Sequence, residues 1–229
     1  MKNMICIALG SLFSLSATAL AADPVDLGVL QDREIQVIQK RLHPKDGRTE
    51  MGAQLGLLPF DPFTVAPKVQ LTYGKHSSET RGWEVQLGLG YGIANGTYRL
   101  LDSPAYGKVP EATRYLGSLT GGLTFSPFYA KFTQDGRKVF HHDIYFPVIA
   151  GLTVEQTVDP NLNENAMARF AFAPTVGAGM GARVFLHNDL VFRIEMRDDF
   201  MMQFRTGTGS WNFKQNIGLH AGITILEAK

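Results

Sequence analysis

Cysteine is nearly missing from these 229 residues: the one cysteine, Cys6, lies inside the first twenty. If that stretch is removed on export, disulfides, thiol catalysis and Cys-ligated zinc are all excluded. A surplus of charge is missing too, with 22 Lys and Arg against 21 Asp and Glu and no basic cluster, which argues against nucleic-acid binding. Long apolar runs are confined to the N-terminus. A helical membrane protein, which needs about 20 apolar residues per span, is therefore excluded. Charged residues make up only 19%, whereas glycine is abundant, 24 of 229, above the average of roughly 7%. Aromatic and branched residues are too plentiful for a disordered chain.

The first residues have the form of an export signal. Lys2 supplies the positive end, Met4 to Leu15 is mostly apolar, and Ala19-Leu20-Ala21 matches a small-x-small cleavage site. The expected organisation is a signal peptide over 1–21, a periplasmic N-terminal segment over 22–47 and a barrel over 48–229. Within the second segment, Leu27 to Leu42 could form a short amphipathic helix ended by His43-Pro44-Lys45-Asp46-Gly47. An exported chain without disulfides suits a bacterial envelope.

From Arg48 onward the hydrophobic period is two. In Trp83-Glu84-Val85-Gln86-Leu87-Gly88-Leu89-Gly90-Tyr91-Gly92 the alternation runs over ten residues without an error. Glu50–Leu57, Lys68–Gly74, Tyr115–Phe125, Phe140–Val154, Arg169–Leu186, Asp189–Met201 and Trp211–Leu226 behave alike, giving eight strands with one apolar face each. Several exceed the usual soluble strand of about 5–6 residues and reach the roughly 9–11 of a transmembrane strand. Residues 48–226 shared among eight strands give about 22 per strand and connection, which suits a small up-and-down barrel. Ten strands fit less comfortably. Connections 94–113 and 156–166 read as long and extracellular, and His187-Asn188 as a tight turn. Ser126–Lys138 reads as an unusually long periplasmic turn. Pro147 falls mid-strand and is read as a bulge or a register error, because proline removes a ladder hydrogen bond.

A membrane barrel turns its apolar face outward, and here that face is lipid-like: Leu55, Leu71, Leu87, Val176, Ile194 and Ile223 are typical. The other face is rich in glycine and carries charges of both signs. An eight-stranded interior has room only for side chains. Glu84 and Glu195 with Arg183 and Arg193 are expected to form a salt-bridged plug that extends to Arg197, with inward glycines such as Gly88, Gly177 and Gly181 making room. The alternative for these five residues is a substrate or ion path. Trp83, Tyr73, Tyr91, Tyr115, Phe140, Trp211 and Phe213 lie near strand ends, as aromatic girdles do.

No enzyme signal survives, and no cofactor or metal is expected. His141-His142-Asp143 is the densest cluster of potential ligands, but neighbours on a strand point to opposite faces. His220 falls on the inward face beside Asn216 and Thr224 and reads as a hydrogen-bonded lumen residue. His76-Ser77-Ser78 falls in a predicted turn with no acid seen to orient the histidine. Gly88-x-Gly90-x-Gly92 and Gly177-x-Gly179-x-Gly181 keep a strict period of two and lack a following helix, so they are wall and not nucleotide loops.

Three segments resemble the outer-membrane β-barrel domain found mainly in myxobacteria and related predatory or gliding bacteria. They are Ile38-Gln39-Lys40-Arg41-Leu42 followed by Gly47-Arg48-Thr49-Glu50-Met51, then Phe125-Ser126-Pro127-Phe128-Tyr129-Ala130-Lys131-Phe132, and Arg193-Ile194-Glu195-Met196-Arg197-Asp198. Ala130 stands where that family has glycine, and Ile225-Leu226 is followed by Glu227-Ala228-Lys229 where outer-membrane strands often end on an aromatic residue. The resemblance implies a small outer-membrane barrel without a reaction, some of whose relatives are associated with gliding complexes. The expectation is an eight-stranded antiparallel transmembrane β-barrel of the Gram-negative outer membrane, structural or adaptor-like in role. A narrow channel or small-solute carrier is the alternative. Its expected partners are outer-membrane lipid and periplasmic or envelope-complex proteins, met at Ile35–Leu42 and Tyr98–Arg114, and no nucleic acid.

Overall fold

Strands form where the two-residue alternation runs. The computed structural model describes residues 42–110, 112–134, 138–158, 169–205 and 209–227. Eight long strands follow one another: β1 (Thr49–Leu58), β2 (Thr64–His76), β3 (Arg81–Gly90), β4 (Ala112–Gln134), β5 (Lys138–Val158), β6 (Arg169–Phe185), β7 (Leu190–Arg205) and β8 (Ser210–Leu226). Each pairs antiparallel with the next. β8 returns to β1, from Glu50↔Leu226 to Leu57↔Leu219, and closes the ring. Closure satisfies the backbone groups that an open sheet edge would leave bare. The fold is an all-β, antiparallel up-and-down barrel. Among the described residues no helix is long and apolar enough to cross a membrane.

Alternation within the ring separates two surfaces. Leu55 is 72% exposed and Leu123 70%, and Leu71, Leu87, Leu119 and Leu152 stand in register on four consecutive strands of the outer face. Inward, Gln54, Gln86, Arg183, Arg193, Glu195 and Arg197 are buried. A closed wall that is apolar outside and charged inside inverts the soluble pattern, and is the arrangement of a membrane-spanning barrel. Exposed aromatics gather towards the strand ends. Tyr73 and Trp83 pair 6.1 Å apart at one end, called lower here, and at the other the exposed Phe213 stacks 5.5 Å from the half-buried Phe200. Tyr115 departs from the expected girdle. A register shift between Tyr115 and Gly117 turns its ring into the lumen, where its hydroxyl meets Ser118 Oγ at 2.8 Å.

Ser126–Lys138 is not a long turn. β4 and β5 continue as a hairpin to Gln134↔Lys138, past the last barrel rung of β4 at Arg81↔Phe125. The bulge expected at Pro147 lies instead on β4, opposite Tyr145, where the register shifts between Phe125 and Phe128. Towards β6, Pro147 opens a gap in the ladder between Tyr145↔Gly181 and Val148↔Ala178 without changing the register. The connection after β3 holds the two-residue bridge Ile93–Ala94, paired to β2, and helix α1 (Gly96–Leu101). Asn95, inside the expected long connection, caps that helix: its side chain accepts from Tyr98 N at 3.0 Å and donates to Pro62 O at 2.8 Å.

Of the expected signal peptide and N-terminal segment, residues 1–41 lie outside the described residues, as does most of connection 156–166. The remainder, 42–47, lies against the lower mouth. Gly47 adopts φ 73°, the left-handed region open to glycine, and its N–H donates to His76 O at 2.9 Å. Arg48 fastens the seam. It donates to Leu226 O (2.7 Å), Glu227 O (3.0 Å) and Asn188 O (3.1 Å), and pairs with Asp189 (2.6 Å). Arg48→Ala is expected to lower stability by about 1–3 kcal/mol, read as an earlier urea midpoint. Arg48→Lys should recover only part, because an ammonium lacks the guanidinium fork.

Candidate functional site in the barrel lumen

The lumen is filled by a ladder of ion pairs. At the lower mouth His43 stacks on Phe185 (5.1 Å) and lies edge-on to His141 (5.2 Å), while Lys45 forms a buried ion pair with Asp143. Burial pulls the Lys45 ammonium below its ordinary pKa, against the opposing pull of Asp143.

Above them Arg183 faces Glu50 (3.2 Å) and Asp143 (3.7 Å), donates to Ser126 Oγ (3.1 Å), and lies 3.9 Å over the Tyr145 ring. Glu50 is a hub that also accepts from Thr224 Oγ1 (2.8 Å) and meets His76 Nε2 (2.9 Å) and Arg193 (3.4 Å). Arg193 donates to Tyr145 Oη (2.8 Å), Glu84 (2.9 Å) and Glu195 (3.1 Å). The Tyr145 hydroxyl in turn donates to Glu195 at 2.8 Å. Arg197 completes the series on Glu195 (3.2 Å), Asp199 (2.8 Å) and Gln86. Gln86 returns to Glu84 at 2.6 Å.

All five expected residues, Glu84, Arg183, Arg193, Glu195 and Arg197, thus point into one lumen. Arg183 departs from the expected pairing, since its carboxylates are Glu50 and Asp143 and not Glu84 or Glu195. His76 departs too. It is the last residue of β2, buried, and Glu50 orients it from the neighbouring strand. Tyr145, which sequence reasoning did not single out, sits between two guanidinium groups. Its ring lies against Gly181, where any Cβ would collide with it. The inward glycines make room mostly for other side chains: Gly88 for Tyr115, Gly177 for Asp199, and Gly56 and Gly218 for His220. His141 and Asp143 turn inward, while His142 lies on the other face. Among the described residues no three His, Cys, Asp or Glu could hold a metal.

The void left among Glu50, Glu84, Arg183 and Arg193 is about 10 Å³, no more than one water needs. At the upper rim Lys214 ties Asp61 (2.6 Å), Glu155 (3.0 Å) and Thr113 Oγ1 (2.8 Å) together beneath Phe60 and Phe213, beside a cavity of about 260 Å³. Between the two, Arg193 and Arg197 keep their paired carboxylates, and the buried Gln54, Gln70, Lys68 and His220 side chains fill the wall above them. That arrangement is suited to closing a barrel and not to passing a solute through it.

No protein-family profile matches the chain, and no curated protein does. Solved structures of outer-membrane barrels are similar at low identity. Outer membrane protein OprG from Pseudomonas aeruginosa is 12% identical over 82% of this chain and 99% of its own, with a TM-score of 0.47. Neisserial surface protein A is 10% identical over 78% and 95%, with a TM-score of 0.45. The attachment invasion locus protein Ail of Yersinia pestis is 10% identical over 80% and 99%, with a TM-score of 0.41. At such scores the fold rests on the strand register itself.

Proposed function

We propose that this chain is a non-enzymatic wall or adaptor protein of the Gram-negative outer membrane, with a lumen closed by its own ion pairs. The observation that carries the reading is the filled interior: three buried arginines are held by Glu50, Glu84, Asp143, Glu195 and Asp199, around a void of about 10 Å³. Two features support an adaptor role. The β4–β5 hairpin carries exposed Phe128 and Phe132 beyond the lower rung, and the resemblance to gliding-bacterium barrels points to an envelope complex. Tyr98–Arg114 and the segment before Arg48 are the further surfaces for a partner.

Reconstitution in planar bilayers tests the closed lumen. The wild-type protein is expected to conduct near zero, and Arg193→Ala to raise conductance sharply. A recording samples only inserted barrels, so any loss of stability does not mask the change. Substantial wild-type conductance would refute the plug in favour of a narrow channel. Purification of the tagged protein from native membranes in mild detergent tests the adaptor role. Co-migration with periplasmic or inner-membrane proteins at high mass is expected, and migration alone would remove that role.

A further inference from the structure

Above the ion-pair ladder, two inner-wall rows cross β8, β1, β2 and β3. One reads His220–Gly56–Lys68–Gly90 and the next Gly222–Gln54–Gln70–Gly88. Glycines occupy half of these positions; the Tyr115 hydroxyl and Ser118 fill the space over Gly88, and the four remaining side chains share the rest. Lys68 is 4% exposed and has no carboxylate within ion-pair distance; its Nζ lies 5.6 Å from the Tyr115 ring centroid. His220 is 2% exposed and neither ring nitrogen has a protein hydrogen-bond partner. Gln54 is 1% exposed with both amide atoms unpartnered, and Gln70 Nε2 is likewise unpartnered.

Lys68 and His220 lean together over Gly56. A Cβ placed there would lie 2.5 Å from His220 Cδ2 and 2.9 Å from Lys68 Cγ. The nearby carboxylates, Glu195 and Asp199, are engaged by Arg193, Arg197 and Tyr145. Leu58, Ala66 and Tyr115 form a buried apolar cluster one rung above.

We propose that Lys68, His220, Gln54 and Gln70 hold a small inorganic anion of halide size. An uncompensated buried ammonium is strongly unfavourable, and here the convergent groups are N–H donors: three from the ammonium, one from the imidazole and those of two amides. A bound halide accepts from several of them at once and neutralises Lys68. Water satisfies hydrogen bonds but leaves the charge unpaired. The apolar layer above and the ladder below bound the site closely, which suits a single small ion better than an organic anion.

The test is to refold the full chain from urea in sodium bromide and crystallise it for anomalous diffraction at the bromine edge. A bromide peak within hydrogen-bonding reach of Lys68 Nζ and His220 is expected. In parallel, the urea midpoint of the wild type should rise with millimolar chloride against gluconate at constant ionic strength. Lys68→Met should abolish that dependence, while His220→Gln should weaken it. No peak, or Lys68 bonded to Asp199, Glu195 or water alone, would overturn the proposal. So would a peak without any chloride dependence, which would mean an adventitious ion only, and so would a dependence that Lys68→Met leaves unchanged.

Discussion

Arg193→Ala is expected to lower the free energy of unfolding by about 3–5 kcal/mol, the range for breaking a buried ion pair by removing one partner. Arg193 is 0% exposed and touches Glu50, Glu84, Glu195 and Tyr145. Its removal leaves three carboxylates sharing Arg183 and Arg197, both already committed to Asp143 and Asp199. The loss comes from stranded acids more than from the favourable worth of the pairs themselves. Arg193→Met combined with Glu84→Gln should therefore recover part of it, because that pair of changes removes one charge of each sign. Urea titration of the refolded protein in lipid vesicles, followed by fluorescence of Trp83 and Trp211, measures both. A single-variant loss under about 1 kcal/mol would mean that the ladder is solvated and screened, contrary to the filled lumen.

The parts of this site that were legible in the sequence are those set by local geometry. Alternation with a period of two is a property of one strand, so Glu84, Arg183, Arg193, Glu195 and Arg197 could all be placed on the inner face without knowing what each faced. Their partners could not. Glu50 and Arg183 are separated by most of the chain, and which rung meets which across a lumen depends on strand tilt and stagger. His76 shows the same limit at closer range: its acid, Glu50, lies on the neighbouring strand at the next inward position, since Glu50 pairs with Gly74. Bulges defeat alternation differently. One extra residue changes the phase, which is how Tyr115 left the aromatic girdle for the lumen. Proline was misleading in its turn, because Pro147 forfeits its bond towards β6 without moving the register, while the shift occurs across the ladder beside Pro127. Tyr145 carried no signal as one aromatic in an aromatic-rich strand. The nearest hint was Gly181 on the adjacent strand, a glycine at an inward position where a large ring needs space.

Leu119→Arg tests the membrane reading on the opposite face of the wall. Leu119 is 57% exposed and lies near the middle of the barrel portion of β4, between Leu87 on β3 and Leu152 on β5. On a water-facing wall an exposed substitution far from any special contact changes stability by no more than about 0.5 kcal/mol. On a lipid-facing wall arginine near the bilayer midplane costs about 2–4 kcal/mol, falling to about 0–1 near the interface. Phe213, 70% exposed at the upper end of β8, supplies the comparison. In vesicles Leu119→Arg should therefore lose about 1–4 kcal/mol more than Phe213→Arg, because desolvation of the guanidinium grows with depth. Phe213→Arg also loses the stacking on Phe200, a cost that works against the expected contrast and so cannot produce it. If the two variants fall within about 0.5 kcal/mol of wild type, the outer leucines face water. The inverted polarity of the wall would then need a protein covering and not a bilayer, and the transmembrane assignment would fall with it.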